Sequence, residues 1–85
     1  MHIELRFFAS VREAVGLSSE RIELPAGVRT VGAVREHLIK RGGAWATALG
    51  HERALRMAFN HVMCGPGTEV KEGGEVAFFP PVTGG

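Results

Sequence analysis

The sequence predicts an α+β roll in which a mixed sheet packs on one main helix. Segments of strand periodicity open and close the chain, a single longer segment has helical periodicity, and 85 residues suffice for one core. Residues 2–8 alternate, with Ile3, Leu5 and Phe7 on one face and His2, Glu4, Arg6 and Phe8 on the other, which leaves Phe8 an aromatic on the solvent side. Ser10-Val11-Arg12-Glu13 has the spacing of a capping box, so a short helix is expected over 11–15 with Ser10 as its N-cap and Gly16 as its stop. Residues 20–24 alternate again and end at Pro25-Ala26-Gly27.

Thr30 is a good N-cap, and Val31, Val34 and Leu38 follow at i, i+3 and i+7, which places the main helix from there to about Lys40 or Arg41, before Gly42-Gly43. Residues 45–49 read as a helical turn that packs Trp45 and Leu49 on the core. Residues 55–64 read as strand broken at Asn60-His61, because asparagine tolerates the left-handed backbone of a tight turn. Gly65-Pro66-Gly67 forms a loop and Lys71-Glu72-Gly73-Gly74 a turn. Residues 75–79 make the last strand, with Val76 and Phe78 inward and Ala77 and Phe79 outward. Pro80-Pro81 ends it, since neither proline can donate to a ladder.

Composition excludes several classes of function. Ten Lys+Arg against nine Asp+Glu leave +1 without the basic block that tracks a phosphate backbone, so nucleic acid is not expected as a partner. No apolar run approaches a membrane span and the first six residues are charged where a signal peptide is apolar, so neither membrane nor export is expected and the chain reads as cytoplasmic. The lone Cys64 and the four histidines have no metal-ligand spacing, and Gly65-Pro66-Gly67 lacks the lysine and helix of a phosphate loop. No side-chain constellation for catalysis is visible, and an 85-residue body is too small for a deep substrate pocket of its own.

What remains is the sequence after the prolines. Residues 82–85, Val82-Thr83-Gly84-Gly85, read as a flexible C-terminal tail beyond a domain of residues 1–81. A tip without Cβ atoms can thread a narrow channel in another protein. Its α-carboxylate is ionised at neutral pH and a poor electrophile, so its chemical use requires activation, most simply as an acyl-adenylate. If the first and last strands lie side by side and parallel, Phe8 and Phe79 end together at the root of this tail, with Met63 as a third member of an apolar docking patch.

These residues carry a resemblance. Glu75-Val76-Ala77-Phe78-Phe79-Pro80-Pro81-Val82-Thr83-Gly84-Gly85 resembles the C-terminus of the MoaD family, the small sulfur-carrier subunits of molybdopterin synthase. Leu5-Arg6-Phe7-Phe8-Ala9-Ser10-Val11-Arg12-Glu13 with Gly16 is similar to that family's first strand and helix. The resemblance implies a ubiquitin-like β-grasp fold. It further implies that a MoeB-like adenylyltransferase activates the carboxylate of Gly85 with ATP and that a sulfurtransferase system converts it to a thiocarboxylate. The charged carrier then docks on a MoaE-like large subunit through Phe8, Met63 and Phe79, beside Pro80 and Pro81. It inserts Val82, Thr83 and Gly84 and delivers sulfur to cyclic pyranopterin monophosphate, forming the molybdopterin dithiolene. By the same resemblance the chain binds no cofactor itself and works in a hetero-oligomer, two large subunits at the centre and one carrier at each end. The alternatives are a ThiS-like carrier for thiazole synthesis, usually shorter and without Phe-Phe-Pro-Pro, a ubiquitin-like protein modifier joined to lysines through Gly85, and a plain binding module with an inert tail.

Overall fold

The structure, a computed structural model, describes residues 1–81. In chain order the elements are β1 (His2–Phe7), α1 (Ala9–Val15), β2 (Ser19–Glu23), α2 (Val31–Ile39), α3 (Ala44–Leu49), β3 (Arg56–Phe59), β4 (Val62–Cys64) and β5 (Glu75–Phe79). The strands form one sheet in the order β2-β1-β5-β3-β4, in which β1 and β5 are parallel and every other neighbour is antiparallel. This is the expected α+β roll. No helix among the described residues is long and apolar enough to cross a membrane.

Alternation decides which face is covered. Ile3, Leu5 and Phe7 of β1, Ile22 of β2, Met57 of β3 and Val76 and Phe78 of β5 are all buried against Val31, Val34 and Leu38 of α2 and Leu49 of α3. The opposite face carries the alternate residues, and none of the described helices lies over it. Thr30 caps α2 as expected, its hydroxyl accepting the Ala33 N–H at 3.1 Å. Gly16 closes α1 in the left-handed conformation (φ 78°), donating its N–H to the Arg12 carbonyl. Asn60 and His61 both adopt positive φ, 49° and 69°, in the two-residue turn that joins β3 to β4. Trp45 and Leu49 pack inward from α3, Trp45 meeting Phe7 edge-on at 5.4 Å. Cys64 stands opposite Met57 and packs partly buried against the core.

Several expected boundaries move: α2 ends at Ile39 with Lys40 as its C-cap, and α3 begins at Ala44 rather than Trp45. Ser10 caps nothing, and α1 begins one residue earlier than its expected N-cap, at Ala9. The cause is that Phe8 continues β1 in extended backbone (φ −131°, ψ 154°), so its own carbonyl accepts the N–H groups of Val11 and Arg12, while Ala9 makes the corner at φ 52°. The second strand spans Ser19–Glu23, one residue earlier than expected at each end: Ser19 pairs with Arg6, and past Glu23 a single in-register bond from the Leu24 N–H to the Met1 carbonyl (2.7 Å) is the last of the pairing. Leu55 precedes β3, packed partly buried against the core.

Two polar features hold the helical layer. Arg35 is only 8% exposed, and its guanidinium donates to the carbonyls of Leu49 (2.7 Å), Gly50 (2.9 Å) and Arg53 (3.2 Å). A cation thus satisfies the C-terminal end of α3 and fixes the loop that leads to β3. Arg41 makes a two-pronged contact with Glu20, both N–H···O distances 2.8 Å, while its guanidinium lies 4.5 Å from the centre of the Trp45 ring. Those hydrogen bonds hold the Glu20 carboxyl below its usual range and Arg41 above its own, against a smaller opposing effect of burial.

Arg35→Met, which keeps most of the volume, is expected to lower unfolding stability by roughly 2–4 kcal/mol because it leaves carbonyls without donors. Urea denaturation measures this, and an unchanged midpoint would assign those bonds no net value. A folded-state carboxyl below its unfolded value stabilises the protein fully above the ordinary Glu value of 4.5 and loses that contribution as pH falls through the lowered folded value. Glu20→Gln is therefore expected to flatten the acid limb of a stability-versus-pH curve below about pH 4.5.

Candidate docking face and tail root

β5 lies in the interior of the sheet, between β1 and β3. Because β1 and β5 are parallel and in register at Phe7 and Phe78, the next residue of each, Phe8 and Phe79, emerges side by side on the uncovered face. Their rings meet edge-to-face with centres 6.3 Å apart. Phe8 is 43% exposed and Phe79 half-buried. The Arg6 guanidinium stands 5.8 Å from the centre of the Phe8 ring and 3.9 Å from the Glu75 carboxylate.

One register step away, the uncovered face has a floor of small side chains. Ala58 of β3 pairs with Ala77 of β5, and both are nearly fully buried although none of the described helices covers them, because longer neighbours stand around them. Met63, 58% exposed, pairs with Ala58 on the other side. The result is a shallow apolar saddle with Phe8 and Phe79 as one wall and Met63 as the other. The structure brings Phe8 and Phe79 into contact. It sets Met63 on the same face but across β3 from them, two strands from Phe79 and three from Phe8, so that at ~4.8 Å per strand Met63 stands more than about 10 Å from Phe79 and farther from Phe8. Sequence reasoning set Ala77 outward but did not pair it with Ala58, since the β3–β5 register is not given by alternation.

Pro80 and Pro81 come directly after β5 and are half-buried. Pro80 lines a cleft of about 140 Å³ with Ser10, Val11 and Ala14 of α1 on one side and Arg53 and Leu55 on the other. The root of the tail is thereby clasped between α1 and the loop that Arg35 fixes. The expected roles of Val82, Thr83, Gly84 and Gly85 lie outside the described residues. Two larger clefts, about 450 and 440 Å³, open beside the start of β1, away from this root. Among the described residues no three His, Cys or Glu side chains gather as metal ligands. The geometry offers an apolar surface to dock with and, at its edge, the end of an interior strand.

A family model described as "ThiS family" matches residues 5–85. The molybdopterin synthase sulfur carrier subunit of Haemophilus influenzae is 43% identical over 83 residues, 98% of this chain and 99% of that protein. Among solved structures, a Pyrococcus furiosus protein provisionally designated subunit 1 of molybdopterin converting factor superposes with a TM-score of 0.77 at 28% identity, covering 96% of this chain and 99% of that one. Small archaeal modifier protein SAMP1 from Haloferax volcanii superposes at 0.76 with 26% identity and full coverage of both chains. Both likenesses agree with a ubiquitin-like β-grasp roll.

Proposed function

Given that the chain belongs to the ThiS family and has a full-length relative that is a molybdopterin synthase sulfur carrier subunit, we propose that it carries sulfur on the carboxylate of Gly85 for molybdopterin synthesis. The observation that carries this reading is the Phe8–Phe79 contact at the root of residues 82–85, an apolar anchor at the point where the reactive segment leaves the body.

A MoeB-like adenylyltransferase supplies the ATP chemistry. A carboxylate oxygen of Gly85 attacks the α-phosphorus of ATP, pyrophosphate leaves, and the mixed anhydride makes the carbonyl carbon electrophilic. A sulfur donor then displaces AMP to leave the thiocarboxylate. Docked on a MoaE-like subunit, the carrier threads Val82, Thr83 and Gly84, whose small or absent side chains suit a narrow channel. Its sulfur bonds to an electrophilic carbon of cyclic pyranopterin monophosphate there, and water then cleaves the resulting thioester at the Gly85 carbonyl, which leaves the sulfur on the pterin and restores the carboxylate. Until transfer, the enclosed channel keeps the thiocarboxylate from wasteful hydrolysis. Pro80-Pro81 restricts the tail before insertion and so reduces the ordering entropy that docking must offset. Dependence on ATP and reduced sulfur fits the cytoplasm.

The SAMP1 likeness favours one second reading, attachment of Gly85 to lysines of other proteins through the same adenylate. Intact mass separates the two. Incubation with the adenylyltransferase, ATP and a sulfur donor is expected to add the difference between one sulfur and one oxygen, whereas a modifier yields adducts larger by a whole protein. A variant with one residue appended after Gly85 is expected to stay folded and uncharged. Phe79→Ala is expected to weaken binding to the large subunit by ~1–3 kcal/mol in calorimetry, and unchanged affinity would remove Phe79 from the anchor.

A further inference from the structure

The cations of the sheet are unevenly paired. Arg21 and Arg41, away from the tail root, are matched with Glu4 and Glu20, and Arg6 stands 3.9 Å from Glu75, but among the described residues Arg53 and Arg56 have no carboxylate within 4 Å. Both are exposed, and both sit beside the last described residues, Phe79 and Pro80. Arg56 is the register partner of Phe79 across β3 and β5, and Arg53 lines the cleft that holds Pro80. Arg6 stands on the other flank, against Phe8. The acid next to Arg53 in sequence, Glu52, directs a carboxylate oxygen toward Gly50. Glu4, Glu23, Glu72 and Glu75 lie toward the opposite end of the sheet, where His2, Arg21 and His61 face them. Arg53 is also held in place, because its carbonyl is one of the three that Arg35 clamps.

We propose that Arg53 and Arg56, with Arg6 opposite, form a cationic collar that seats on an acidic rim around the channel of the sulfur-accepting subunit. The inference rests on the carrier reading above and adds the charge of the partner's mouth. An anionic tail tip needs a cationic channel floor, and a cationic floor extending to the mouth would repel three guanidiniums brought against it. An acidic rim outside a cationic floor suits both ends of the inserted segment. Rim charges of this kind act mainly on encounter, over a screening length of about 8–10 Å at ordinary salt.

The test is stopped-flow association of the full carrier with the large subunit across a salt series. Arg53→Glu/Arg56→Glu is expected to slow association at least ~10-fold at low salt, to change dissociation less than ~3-fold, and to approach the parent at high salt. Arg53→Gln/Arg56→Gln should fall between, and circular dichroism identifies any variant that has lost its fold. Parent-like association of the reversed variant at every salt concentration overturns the collar, as does a loss confined to dissociation or to charging by the adenylyltransferase. In each of those cases the parent still binds and Phe79→Ala still weakens it, so the carrier reading survives. A parent that neither binds the large subunit nor is charged overturns both.

Discussion

The parallel pairing of β1 with β5 is the contact on which the rest of the molecule depends. It buries Leu5 beside Val76 and Phe7 beside Phe78 at the centre of the core. It joins the two ends of the described chain and makes everything between them a crossover. It also gives both strands one direction, so their C-terminal ends, and with them Phe8 and Phe79, arrive at one pole. An antiparallel pairing would bury the same side chains yet send the residues after β5 out beside His2. The tail therefore follows an interior strand that has ladder partners on both sides up to Phe78 and on the β3 side at Phe79. A load applied to it is shared by two rows of hydrogen bonds rather than peeling away an edge.

Much of this was legible because the sheet has one wet face. Alternation in residues 2–8 and 75–79 separates core from surface only when solvent lies on one side, and here it does. That is why Phe8 and Phe79 could be set on the outer face from the sequence. The Asn60-His61 break was legible because it needs positive φ, and the main helix because Thr30 and its apolar stripe agree. The fold family and the chemistry of the tail came from the resemblance and not from periodicity.

The misreadings have a shared cause, which is that tertiary partners replaced local ones. Ser10 has every local qualification for a cap, but Phe8 is held extended by the strand and its carbonyl takes the helix N–H groups first. Arg35 falls at i+4 from Val31 on the buried stripe, where the local sequence gives a cation no partner. Its role depends on the end of α3 fourteen residues away. Gly32 interrupts the same helix for a reason also invisible locally. A Cβ there would lie 2.8 Å from the Pro66 side chain, and the Gly32 N–H donates to the Pro66 carbonyl at that same close approach. The alanine floor needs the β3–β5 register, which alternation alone does not give.

The brevity of β4 has a consequence for the unpartnered molecule. Val62 and Met63 are among the most exposed large apolar residues described, and they occupy an edge strand, the arrangement that most readily recruits strands from other chains. With only three residues, and with Gly65-Pro66-Gly67 directly after it, β4 presents too few free backbone groups in line to template a growing ladder. The exposed Val62 and Met63 can thus stay open to water without that edge becoming the seed of a fibril.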